Sequence, residues 1–218
     1  MKTVLITGAG GNLGAAAVKA FGAAGWKVIA VVSPGKLPEN HGSVLYREAD
    51  LSLESAGSQL ISSLIGEFGR IDAALLLVGG FEAGGIEKTG IEALRRMYSL
   101  NFETAYYLAR PLSTHMRGHG KMILIGARPA MDPKAGKELV AYGLSKSLLF
   151  KLAEYLNAAA ERTMAHVVVF RALDTPQNRE SMPKADRSRW VHPDRVAAIM
   201  LKLADSAAGE AVTEIKGS

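Results

Sequence analysis

The stretch Thr3-Val4-Leu5-Ile6-Thr7-Gly8-Ala9-Gly10-Gly11-Asn12-Leu13-Gly14 decides how this chain is read. A short apolar strand runs straight into a glycine-rich turn, and helical spacing follows over residues 12–24. Gly8, Gly11 and Gly14 stand at i, i+3 and i+6. Glycine permits the tight turn and lets backbone N–H groups approach a pyrophosphate, which the helix dipole also favours. The Gly-x-Gly-x-x-Gly spacing of two-domain dehydrogenases is not met, because Leu13 stands where its last glycine would be. The lysine of a nucleoside-triphosphate loop is missing too. The turn therefore predicts a dinucleotide site at Thr7, Gly8, Gly10, Gly11, Asn12, Leu13 and Gly14.

Outward from this turn, apolar runs recur at residues 28–32, 73–78, 122–125 and 167–170, separated by longer helical or Ala-rich segments such as 139–160. Buried strands alternating with helices predict a parallel sheet covered on both faces. We expect an α/β chain: a single doubly wound Rossmann-type domain over residues 1–218, with a parallel sheet of about seven strands and helices on both faces. No repeat and no Pro- or Ser-rich linker divides it. Residues 79–90 and 171–192 break the rhythm as long polar or glycine-rich loops after strand ends. They are either ligand-binding loops or plain surface loops.

The composition narrows the chemistry. Hydrophobic residues make up 48% and charged residues 22% of the 218 positions, an ordinary globular balance. There is no cysteine, which excludes disulfides, thiolate metal sites and cysteine nucleophiles. The 26 Lys+Arg against 21 Asp+Glu leave a diffuse +5 with no basic arm, so no nucleic-acid partner is expected. No apolar run is long enough for a membrane span or a signal-peptide core, and a cytoplasmic protein with a small-molecule substrate is expected.

The choice of dinucleotide turns on Val31-Val32-Ser33-Pro34-Gly35-Lys36, where no acid stands before Glu39. An acid at that strand end would hold the ribose 2′-OH of NAD. Ser33 and Lys36 are instead suited to a 2′-phosphate, so NADP(H) is favoured, with NAD(H) the alternative. Asp50 either receives the adenine amino group or caps the helix starting near Ser52.

Tyr142-Gly143-Leu144-Ser145-Lys146 places a phenol and an ammonium four residues apart on one helical face. A phenol near pKa 10 is a poor acid–base at neutral pH until a neighbouring cation favours its ionised form. Other signals are weaker. His115 and His119 have a chelating spacing but no third ligand, and no metal is expected. Met97, Tyr98, Phe102, Tyr106 and Tyr107 form a stripe suited to core or subunit packing, or to an aromatic ligand box. Arg128 either anchors a substrate or is solvated.

Taken in order, TGAGGNLG, Asp50, LLLVGG (75–80), Asn101 and YGLSK (142–146) resemble the short-chain dehydrogenase/reductase family over almost the whole chain. The segments VGGFEAGG (78–85), Gly126-Ala127 and LDTPQNRESMP (173–183), followed by Trp190, are similar to its dihydropteridine reductase branch. The resemblance implies that Gly8, Gly11 and Gly14 hold the pyrophosphate, Asp50 and Leu51 the adenine, and Val78 and Gly79 the adenosine side, with Gly80 also among the cofactor-binding residues. It also implies that Tyr142 donates a proton and that Lys146 binds the nicotinamide ribose while lowering the Tyr142 pKa. Thr175 would meet the carboxamide, and Asn101 would hold a relay water. A homodimer or homotetramer through residues 91–117 and 140–160 is implied as well.

The departures are specific. Most family members carry a Ser at the end of the fifth strand, where this chain has Gly126-Ala127-Arg128. The dihydropteridine reductase branch also lacks it, and its quinonoid substrate needs less polarisation. That branch carries an Asp at the end of the second strand and lacks the helix Asn, whereas Val32 and Asn101 stand here. Phe170-Arg171 replaces the usual Pro-Gly after the sixth strand. The reaction expected is hydride transfer to a quinonoid or imine-like acceptor. A general carbonyl reductase or alcohol dehydrogenase, and a non-catalytic dinucleotide sensor, are the alternatives.

Overall fold

A computed structural model describes residues 1–39, 43–160, 164–206 and 210–217. Seven strands run β1 (Thr3–Ile6), β2 (Lys27–Val32), β3 (Leu45–Glu48), β4 (Ala73–Leu76), β5 (Lys121–Ile125), β6 (Ala165–Phe170) and β7 (Val212–Ile215). They form one parallel sheet in the order β3-β2-β1-β4-β5-β6-β7. The helices are α1 (Asn12–Ala23), α2 (Glu54–Phe68), α3 (Ile91–Tyr98), α4 (Thr104–His115), α5 (Arg128–Met131), α6 (Pro133–Gly136), α7 (Val140–Ala158), α8 (Pro176–Ser181) and α9 (Pro193–Asp205).

Side chains alternate across a strand, so each strand feeds two cores. Leu5, Ile29, Val31, Leu76, Leu124 and Val169 pack beneath α2, α4 and α7. Val4, Ile6, Val28, Ala30, Leu75 and Val168 pack beneath α1 and α9. These two apolar layers are why the strands read as unbroken hydrophobic runs. The strand order reverses between β1 and β4, and a crevice opens there at the carboxyl ends of the strands.

Three segments show detail beyond the sequence reading. The long helix before β5 is interrupted by a π-helical turn at Ser99–Glu103, which carries Asn101. Such a turn inserts an extra residue and re-aims side chains. Residues 171–192 are not a plain loop: α8, a short 3₁₀ turn at Arg187–Arg189 and a Leu173–Val191 bridge organise them. Residues 79–90 are tied down by a Gly84–Leu139 bridge and by Thr89, whose hydroxyl donates to the Gly84 and Gly85 carbonyls.

Candidate active site

The Thr7 hydroxyl joins two strand ends, donating to the Leu75 carbonyl and accepting from Leu77 N–H at 3.0 Å. Gly8 then turns with φ +63°, a left-handed conformation, against the Leu77–Val78 backbone. Gly14 lies so close to the turn that a Cβ there would overlap the Gly8 carbonyl oxygen. Gly10, Gly11 and Asn12 are exposed at the mouth, Leu13 is buried, and no side chain caps the start of α1. The leading N–H groups of that helix therefore face the crevice without a side-chain acceptor.

Beside the turn lies a cavity of about 160 Å³, lined by Gly8, Val31, Val32, Ser33, Asp50, Leu51, Val78 and Leu100 among others. Five of the predicted dinucleotide residues meet in that wall. Asp50 does not cap α2, whose N-cap is Leu53. Its carboxylate accepts from Ser52 N–H at 3.0 Å and from the Ser52 hydroxyl at 2.6 Å, and these bonds hold its pKa below the usual carboxylate value. Lys36 is exposed just beyond Ser33. Uncapped N–H groups, a glycine turn without room for side chains and an apolar cleft edged by Ser33 and Asp50 together fit an adenine dinucleotide.

Across β4 from this cleft sits the Tyr–Lys pair on α7. Lys146 is buried, and its ammonium donates to the Ile125 carbonyl at 2.9 Å. Burial pushes its pKa down to about 8 and that of Tyr142 up to about 12. This loss of water opposes the lowering of Tyr142 expected from Lys146. The ammonium lies 5.9 Å from the phenol ring centroid, and loss of water around the phenol dominates.

Asn101 is fully buried. Its Oδ1 accepts from Gly80 N–H at 2.9 Å, and its Nδ2 donates to the Gly80 carbonyl at 3.2 Å and to Ser145 Oγ at 3.0 Å. A Cβ at Gly79 would lie 2.6 Å from Asn101 Oδ1 and 3.2 Å from Lys146 Nζ, so Gly79 gives the space in which these groups converge. Thr175 is buried at the start of α8, where its hydroxyl accepts from Asn178 N–H at 3.2 Å.

At the end of β5, Gly126 has no room for a side chain: a Cβ would stand 2.6 Å from Val167 Cγ1 and 2.8 Å from Phe150. A hydroxyl could be carried only at Ala127, which is itself buried. Arg128 pairs with Glu214 at 2.9 Å rather than standing free. His115 uses Nε2 to accept from Ile71 N–H, and no group of three or more metal-ligating side chains occurs among the described residues.

The family's sequence model, described as short chain dehydrogenase, matches residues 2–184. The chain belongs to the short-chain dehydrogenase family. Its fold and membership make it an oxidoreductase of an NAD(P)-dependent family. Among curated relatives, the dihydropteridine reductase of Dictyostelium discoideum is 24% identical over 203 residues, covering 90% of this chain and 84% of the relative. Of two further relatives, a versicolorin reductase and an uncharacterized mycobacterial oxidoreductase, the chain spans 58% and 63%. In fold it is similar to an NADPH-dependent 3-quinuclidinone reductase from Rhodotorula rubra (TM-score 0.83, 23% identity, 99% of this chain and 90% of that one). A 3-ketoacyl-(acyl-carrier-protein) reductase from Brucella melitensis, solved with NADH, has a TM-score of 0.81 at 22% identity, covering 100% and 97% of the two chains.

Several contacts of this short-chain dehydrogenase lie outside the sequence reading. Phe81 is 64% exposed, yet its ring meets the Tyr142 ring edge-on at 5.1 Å. Asn12 donates to Gln177 Oε1 at 2.9 Å, tying α8 to the glycine turn. The Glu48 carboxylate accepts from Gly35 N–H at 2.6 Å. The pairs are 61, 165 and 13 residues apart, with no local pattern to mark them.

Proposed function

We propose that this protein is an NAD(P)H-dependent reductase that delivers hydride to a planar quinonoid or imine-like ring of the dihydropterin class. The whole 1–218 chain acts as one catalytic unit, and NADPH is the favoured dinucleotide. The observation that carries the reading is the conjunction at the strand ends: a half-buried Tyr142 with buried Lys146 and Asn101, beside Ala127 where a carbonyl-polarising hydroxyl would stand. A preorganised donor of that kind is worth about 10²–10³ in rate for a carbonyl substrate. Its absence favours an acceptor that is already electron-poor. The 24% identity to a dihydropteridine reductase over 90% of the chain supports the same branch.

Bound dinucleotide supplies the hydride. Tyr142 gives its phenolic proton to the acceptor nitrogen, and Lys146, held by the Ile125 carbonyl, stabilises the phenolate left behind. Asn101, fixed through Gly80 and Ser145, orders the path by which that proton returns from water. Thr7 and the 8–14 turn bind the pyrophosphate, Asp50, Leu51, Val78, Gly79 and Gly80 the adenosine, and Ser33 and Lys36 the ribose end. Thr175 binds the carboxamide. Phe81, edge-on to Tyr142, lies against a flat substrate ring. The apolar groove of about 350 Å³ between α3 and α7, walled by Leu94, Tyr98, Leu144 and Leu148, is the surface through which two copies pair.

The test follows oxidation of NADPH and NADH at 340 nm with quinonoid dihydropterin generated in place. Turnover is expected, and Tyr142→Phe should lower kcat at least 10²-fold while dinucleotide binding, read by fluorescence, stays within a few-fold. Tyr142→Phe with unchanged turnover would remove Tyr142 from the mechanism. Turnover confined to ketones would move the assignment to a carbonyl reductase.

A further inference from the structure

The edge of the adenosine cleft holds a carboxylate that the reading of β2 leaves out. After Val32 the chain makes a tight turn closed by Lys36 N–H donating to the Ser33 carbonyl at 3.1 Å. Pro34 occupies its second position and Gly35 its third, with φ +72°, the arrangement of a type II turn. Glu48 is the last residue of β3 and lies in register with Val32, beside this turn. Its Oε1 accepts from Gly35 N–H at 2.6 Å. Pro34 has no N–H and that of Lys36 closes the turn, so Gly35 N–H is the donor among residues 34–36 left to meet an anion. Glu48 occupies it.

Ser33 belongs to the cleft wall, so this turn borders the ribose side of the site. Among the described residues, Lys36 stands in this turn, Glu48 bonds it and Asp50 shares the cleft wall with Ser33, while Arg47 next to Glu48 is engaged by Glu67 at 2.8 Å. A 2′-phosphate brought to Ser33 is drawn by Lys36 and opposed by Glu48. It also finds the turn's amide already taken. A 2′-hydroxyl carries no charge and is not repelled by the carboxylate. Acids that set this preference are expected at the end of β2; here one enters from β3.

We propose that Glu48 is a specificity-determining residue that discriminates against the 2′-phosphate, limiting the preference for NADPH that Ser33 and Lys36 create. The inference rests on the dinucleotide reading above. The experiment is a fluorescence titration of the wild type, Glu48→Gln and Glu48→Ala with NADH and with NADPH, at low salt and at 0.5 M salt. Gln keeps an oxygen for Gly35 N–H and loses the charge; Ala also frees the amide. Both variants should bind NADPH about five- to tenfold more tightly than the wild type at low salt, with NADH affinity within twofold. The gain should shrink at 0.5 M salt, because the opposing charge is exposed and screened. Unchanged NADPH affinity, or an equal change for both nucleotides, overturns the proposal and reduces Glu48 to a structural tie for the turn. A wild type that binds neither nucleotide, with circular dichroism showing it folded, overturns the dinucleotide reading itself.

Discussion

Lys146 is 4% exposed and pays for its position with a pKa pushed down to about 8. Its unfolded value is higher, so between about pH 8 and 10.5 the unfolded chain binds more protons than the folded one, and stability rises with pH through that window. Tyr142 works the other way: with its pKa at about 12, the folded protein holds a proton that the unfolded chain loses near pH 10, and stability falls from pH 10 to 12. Lys146→Met should therefore raise the melting temperature of the ligand-free protein, by the equivalent of roughly 1–3 kcal/mol at pH 7, and flatten the rise above pH 8. Thermal denaturation across pH checks both, and a lower melting temperature would mean that the bond to Ile125 outweighs desolvation. Ala127→Ser tests the missing hydroxyl. It should raise ketone reduction by about one to two orders of magnitude, as measured by kcat/KM on a simple ketone, with little change for a quinonoid acceptor.

Between elements, α8 is tied to the glycine turn by a single side-chain hydrogen bond. Its base is closed by Asp174 N–H to the Val191 carbonyl and Val191 N–H to the Ala172 carbonyl, both at 2.9 Å, and by the Asp174–Arg179 fork. Its first turn meets the glycine turn through Gln177 and Asn12. An exposed hydrogen bond of this kind contributes about 1 kcal/mol. Gln177→Ala should speed dinucleotide release about three- to fivefold in stopped-flow fluorescence while the melting temperature moves by less than about 2 °C. Gly14 is a harder constraint, because a Cβ there overlaps the Gly8 carbonyl. Gly14→Ala should cost about 2–4 kcal/mol of stability in urea titrations and abolish dinucleotide binding with it.

At the scale of the whole molecule, one acid-sensitive group lies at the opposite end of its strand from the proposed site. His166, on β6, is fully buried; its Nδ1 bonds the Glu210 carbonyl, so Nδ1 carries the proton and Nε2 has no partner among the described residues. Burial, with Lys121 adding to it, lowers the pKa below the usual imidazole value. Below about pH 6.5 the unfolded chain then takes up a proton that the fold resists, and stability falls as pH drops. His166→Leu should reduce that slope in urea denaturation between pH 7 and 5. Exposed Tyr98, Leu144 and Tyr155 on the α3–α7 side fit a paired surface. On the pairing proposed above, the wild type should sediment as a dimer and Leu144→Arg as a monomer in analytical ultracentrifugation.

The sequence by itself determined the layout, because each cue is local. Residues 3–14 carry strand, turn and helix start in one window, and both β1 and α1 form there. The 142–146 spacing puts phenol and ammonium on one face of α7 whatever surrounds it. The alternation of apolar runs with helices implies a parallel sheet, and all seven strands lie in one. β3 and β7 are weaker in the sequence because they are sheet edges, half-buried and less apolar.

Tertiary structure alone decided what depends on pairing across long sequence separations. It turned Asn101 onto Gly80 and Ser145 through a π-helical turn, committed Arg128 to Glu214, and set Glu48 on Gly35 through strand register. It also decided the direction of the Tyr142 shift. Four-residue spacing speaks only of a nearby cation, whereas the pKa follows from how much water the folded chain removes from the phenol.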